Sequence, residues 1–156
     1  MLDFQEMPGF LIRRLHQISV AIFLEDLAAM DFDLTPVQFA ALNALEVHPG
    51  IDQATLAGLI AHDRVTLGGV VDRLVQKGLV VRSVNPQDRR ARRLHLAPAG
   101  KAMLEAVLPV VGKVQDRILC GLDENERASL LALLKKAAGN ANGMSRAPLR
   151  TGPAGQ

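Results

Sequence analysis

QATLAGLIAHDRVTLGGVVDRLVQKGLVVR, residues 53–82, carries two short runs of helical apolar spacing separated by a polar break. In the first run Leu56, Leu59 and Ile60 make one stripe, and Asp52 stands where a side-chain cap is needed. Asp63 opens the second run, in which Leu67, Val70, Val71 and Leu74 fall at i, i+3, i+4 and i+7. Gly78 follows as a residue able to end the helix in left-handed backbone. Two β-type runs come next, LVVRSV (79–84) and RRLHLA (92–97), joined by the polar, turn-rich NPQDRRA. Strand, polar tip, strand is a hairpin with a long loop. Helix, tight turn, helix and charged hairpin together predict a winged helix-turn-helix over residues 35–97.

The flanks read as long helices. From Pro8 to about Met30, Phe10, Leu11, Leu15, Ile18, Ile22 and Leu27 recur at helical spacing among charged and polar residues. Thr35, Pro36 and Gln38 form a capping box with proline in the first turn, and the helix they open breaks at His48-Pro49-Gly50. A further helix starts at Pro98, where Pro109 predicts a kink or a break. Asp123 and Glu126 are a second capping box, opening the last helix. Residues 139–156 are rich in Gly, Pro, Asn and Ala without periodicity, which predicts a disordered tail. The expected class is mainly α with a two-stranded β-wing.

Composition excludes several alternatives. Hydrophobic residues make up 49% of 156 positions, so the chain can bury a core. Aromatics are only 3%, which suits helices packed through Leu, Val and Ala. No apolar run is long enough for a membrane span, and the first residues lack a secretory pattern. The single Cys120 cannot form an internal disulfide, in keeping with a cytoplasmic protein. The four histidines have no metal-ligand spacing, and no phosphate loop or nucleophile motif occurs. Neither an enzyme nor a bound cofactor or metal is expected.

Charge is unevenly spread. Residues 64–93 hold eight basic side chains against two acidic ones, +6, while the remaining positions hold ten against fourteen. Such a block is the footprint of a polyanion partner, although a merely solvated face has the same composition. The order of elements favours double-stranded DNA, because the second helix of the pair can lie in a major groove, where the four base pairs are distinct. Arg64, Val65 and Thr66 at its start, then Gly68, Gly69 and Arg73, are the candidate groove residues. Two adjacent glycines cost a helix about 1 kcal/mol each. Close approach to DNA explains them, as would packing of either glycine on the neighbouring helix. At the hairpin tip Asp88, Arg89, Arg90 and Arg92 are the candidates, since a protruding arginine suits a narrow minor groove and Asp88 is placed to orient Arg90.

These segments, with LTPVQFAALNAL (34–45) and the wing NPQDRRARRLHLAPAG (85–100), resemble the MarR family of winged-helix regulators across about residues 8–137. The resemblance implies an obligate homodimer on a pseudo-palindromic operator, with residues 8–34 and 98–137 as the dimerisation region. It also implies that Asp88 supports the minor-groove Arg90. The chain departs from the family in having Ala97 where a threonine cap is usual, and Gly68-Gly69 in place of base-reading side chains. More narrowly it is similar to regulators of aromatic-acid breakdown, nicotinate in particular. That implies a repressor released by a small aromatic carboxylate such as 6-hydroxynicotinate.

A carboxylate effector needs a basic donor beside an apolar cleft. Arg14, His16 and Asn43 are the candidates; an ion pair, a surface histidine and a helix–helix hydrogen bond are their ordinary alternatives. Release by oxidation would need an exposed, acidic thiol, whereas Cys120, following Ile118-Leu119, reads as buried and inert. A winged-helix module that binds protein rather than DNA is the remaining alternative.

Overall fold

Among the described residues, four of the six α-helices begin at a capping side chain, and the other two open on a proline. The computed structural model describes residues 3–88 and 92–152. Among these, α1 (Pro8–Ala28), α2 (Pro36–Val47), α3 (Gln53–Leu59) and α4 (Arg64–Gln76) precede a hairpin of β1 (Val80–Val84) and β2 (Arg92–Leu96). α5 (Pro98–Ile118) and α6 (Glu124–Ala141) follow. The two capping boxes form as expected: Thr35 Oγ1 accepts from Gln38 N at 3.2 Å while Gln38 Oε1 accepts from Thr35 N at 3.1 Å. Asp123 and Glu126 reciprocate in the same way at 2.9 Å each. Ala97 stands at the N-cap of α5 with no side-chain cap, as its departure from the family pattern implied.

The core joins the two regions. Leu27 of α1, Leu42 and Leu45 of α2, Leu56 of α3, Leu67 and Leu74 of α4, Leu94 of β2 and Val107 and Val114 of α5 are fully buried in one cluster. On α1 the buried positions are Phe23 and Leu27. Leu11 and Ile18, expected on its apolar face, are exposed, as is Ile12. α5 lies along α1, and Arg117 near its C-terminus pairs with Asp26 and, at 3.3 Å, with Glu25. β1 and β2 pair antiparallel from Val80↔Leu96 to Val84↔Arg92, and Leu94 also bridges Ile51, donating to its carbonyl at 2.9 Å.

Further expectations change. Of the kink or break expected at Pro109, the break is absent, since α5 runs unbroken through it. That residue is exposed, where water can satisfy the carbonyl that the missing N–H frees. Cys120 is exposed rather than buried, because α5 ends at Ile118 and the cysteine falls in the turn beyond it. The boundary placed at residue 139 is also wrong. α6 continues to Ala141, a 3-10 turn follows at Asn142–Met144, and residues 145–152 fold back onto α3. Composition hid this because the segment is held by a few specific hydrogen bonds and not by an apolar stripe.

Candidate DNA-binding surface

The turn between α3 and α4 is built by side chains that occupy otherwise unpaired helix-end groups. Asp52 accepts from Thr55 N at 2.7 Å and Asp63 from Thr66 N at 3.0 Å. At the end of α3, His62 N donates to Ala57 O at 2.9 Å, with Ala61 in left-handed backbone at φ 49°. A non-glycine residue there is strained by roughly 1–2 kcal/mol. The hydroxyl of Thr66 lies 3.2 Å from His62 Nε2 and donates to Asp63 O at the same distance. The Thr66 backbone N–H is the main reason that the Asp63 carboxyl lies below its ordinary pKa; Val65 N–H, the Thr66 hydroxyl and nearby His62 act in the same sense, and desolvation opposes them.

α4 buries Leu67, Val71 and Leu74 and turns its opposite side outward. Val65, Gly69, Asp72 and Gln76 are all exposed, and their i, i+4, i+7, i+11 spacing makes one open stripe, with Val65 87% exposed. Arg64, Thr66 and Arg73 flank it and are exposed too. The glycines separate. A Cβ on Gly68 would meet only Gln53 Nε2, at 3.4 Å, an ordinary contact with α3, while one on Gly69 would meet nothing within 4 Å. Packing inside the chain therefore does not require Gly69, and its place at the middle of the open stripe fits close approach by an external surface.

The wing is tied to this helix. Arg82 of β1 donates to Asp72 of α4 at 2.5 Å, and Lys77 bonds the Asp33 carboxylate and carbonyl at 2.7 and 2.6 Å. Asp88 and Arg92 are exposed at the two sides of the hairpin tip, where Asn85 receives Gln87 N and Asp88 N at 3.1 and 3.2 Å. Arg89 and Arg90 lie outside the described residues, so the expected Asp88–Arg90 pairing lies outside them too. Sequence reading missed Asp72 and Gln76, which apolar periodicity marks only as the side opposite the core.

The candidate effector residues are not brought together. His16 lines an apolar cleft of about 420 Å³ with Ile12, Phe23 and Val114 between α1, α5 and α6. Asn43 lines another, about 380 Å³, with Phe39, Val47 and Leu59 between α2 and α3. Arg14 is exposed and lines neither. Ile12, His16, Ser19 and Phe23 all line the first cleft, and at 100° per residue this puts Arg14 on the far side of α1.

Two helices joined by a tight turn, an open stripe on the second and an adjoining basic hairpin define a winged helix-turn-helix DNA-binding protein. The family model described as MarR family matches residues 32–91. The HTH-type transcriptional repressor NicR of Pseudomonas putida is 37% identical over 134 residues, covering 86% of this chain and 84% of that protein. The chain belongs to the MarR family, and it is a transcriptional regulator, not an enzyme. Among solved structures it is similar to BpsR of Bordetella bronchiseptica, whose DNA binding is regulated by 6-hydroxynicotinic acid. That likeness has a TM-score of 0.83 at 33% identity over 88% of this chain and 97% of that one. A MarR mutant from E. coli complexed with operator DNA matches with a TM-score of 0.79 at 31% identity, covering 88% and 99%.

Proposed function

We propose that the chain is a cytoplasmic homodimeric repressor that binds a pseudo-palindromic duplex operator and releases it on binding a small aromatic carboxylate, 6-hydroxynicotinate or a close analogue. The observation that carries the DNA half is the open stripe of α4, centred on a glycine that no internal contact requires, beside a hairpin rich in arginine. Arg64, Val65, Thr66, Gly68, Gly69 and Arg73 meet the major groove. Asp88, Arg89, Arg90 and Arg92 serve the wing.

The dimer reading is supported by what a single chain leaves open. α6 has no buried residue, Leu133 on it is 64% exposed, and Leu11, Ile12 and Ile18 of α1 stand uncovered. In this reading residues 8–34 and 98–137 are the dimerisation region, and a second copy covers these apolar side chains. Likeness to NicR and BpsR supports the effector class. Because Arg14 and His16 face opposite ways, they serve different contacts. Arg14 lines neither apolar cleft of a single chain, so its proposed role as carboxylate donor requires a cleft completed by the second copy, while His16 and Asn43 border the two clefts. Effector binding shifts the population toward a spacing of the two recognition helices that mismatches the half-sites.

The test is a titration of duplex DNA from upstream of the protein's own gene at several salt concentrations, repeated with 6-hydroxynicotinate. The reading predicts affinity that falls steeply with salt and is lost on adding the acid. Absence of binding at low salt refutes the DNA half, and binding indifferent to a panel of aromatic carboxylates refutes the effector half.

A further inference from the structure

The segment after α6 returns to the helix-turn-helix and is fastened there. Arg150 N donates to Gly58 O at 2.8 Å, a carbonyl at the end of α3. The aliphatic stem of Arg150 lies directly over Gly58. A Cβ at that position would come within 2.9 Å of Arg150 Cδ and 3.2 Å of its Cβ and Cγ, so the close seating depends on glycine. Asn142 closes the loop from both sides, donating to Leu149 O at 3.0 Å and accepting from Leu149 N at 2.7 Å. Ser145 Oγ accepts from Ala147 N at 3.1 Å.

The result is a cleft of about 320 Å³ whose walls come from segments far apart in the chain. Arg146, Pro148 and Arg150 form one side; His62, Asp63 and Arg64, leading into α4, form the other. Three arginines and a histidine thus surround one carboxylate, and that carboxylate is already engaged by Thr66 N. Among the described residues, neither Arg64 nor Arg146 nor Arg150 forms a side-chain hydrogen bond or ion pair, and all three are exposed. A concentrated and uncompensated set of guanidinium groups fits a partner that carries repeated negative charge. The cleft adjoins Val65 at the first turn of the recognition helix, and the phosphate backbone flanks a helix seated in the major groove there. The hydrogen bonds that hold the segment have already ordered it, so the contact costs less conformational entropy on binding.

We propose that residues 145–152 are a basic arm of the DNA interface, which brings Arg146 and Arg150 to the backbone phosphates flanking the start of α4. This rests on the DNA-binding reading above and adds contacts that carry no sequence information. The test uses the full chain with Arg146→Ala and Arg150→Ala together, and with both changed to Lys. Anisotropy titrations are run against upstream DNA and against an unrelated duplex of equal length, across a range of KCl. The alanine variant should lose affinity by the same factor on both duplexes. Its plot of log K against log salt should become shallower by about 0.9 for each phosphate contact removed, and the lysine variant should keep most of the slope. Unchanged affinity and slope would mean a merely solvated tail, and tighter binding by the alanine variant would mean that the segment shields the helix; either overturns the proposal. Wild-type protein that binds neither duplex at low salt sinks the DNA reading itself, a failure distinct from a wild type that binds and a variant that matches it.

Discussion

Gly100→Ala tests the joint between the wing and the long C-terminal helix. Gly100 is buried in the first turn of α5, and a Cβ there would stand 2.0 Å from Leu79 O, 2.9 Å from Leu79 C and 3.2 Å from Leu79 Cα. These are backbone atoms and cannot rotate aside. The chain at Leu79 would have to withdraw by roughly 1.5 Å to reach van der Waals distance. It would strain the Ala97 N–Leu79 O bond of 3.0 Å and disturb buried Leu79 and Val80. Overpacking costs about 1–3 kcal/mol, with the upper end apt for backbone. A weakened hydrogen bond adds about 1 kcal/mol. Alanine's better helix propensity returns at most about 1 kcal/mol. The net is about 2–3 kcal/mol of destabilisation, or roughly 5–10 °C in Tm for a chain of this size. Thermal melts at one fixed protein concentration read it directly, since the stability of the proposed dimer would depend on concentration. An unchanged or raised Tm would show that α5 and Leu79 are not in this contact and would refute the reasoning.

Other outcomes follow from the same structure. Arg90→Ala should weaken operator binding by about 1–3 kcal/mol as a groove arginine does; unchanged affinity removes Arg90 from the interface. Arg14→Ala should retain operator binding yet fail to release on adding 6-hydroxynicotinate, and a normal response would dismiss Arg14 as the carboxylate donor. Because the folded pKa of Asp63 is depressed, its carboxylate stabilises the fold above the unfolded pKa and loses that contribution as pH falls through the folded value. Asp63→Asn should therefore melt below wild type at neutral pH and converge with it in strong acid; a gap that persists there contradicts the assignment. Leu131→Glu with Leu133→Glu should convert the proposed dimer to monomer in sedimentation, since both are exposed on α6; an intact dimer would count against this helix as part of the interface.

Helix starts, the helix-turn-helix and the hairpin were legible in the sequence because their causes are local. A cap such as Asp63 bonds a backbone N–H three residues on, and the stripe of Leu67, Val71 and Leu74 follows from 3.6 residues per turn. The arginines of the wing and of α4 stand out in the sequence as a run of like charge. What only the tertiary structure decided depends on which distant segments meet. A Cβ on Gly68 would meet α3 and one on Gly69 would meet nothing within 4 Å, although the two are adjacent in the chain. Arg14 and His16 are two residues apart and serve different faces, and Cys120 is exposed because its helix stops two residues earlier. The tail is the clearest case. Residues 145–152 carry no periodicity and few apolar side chains, so nothing local predicts order. Their placement comes from one carbonyl on Gly58 and the bare surface beneath Arg150, ninety-two positions away in sequence.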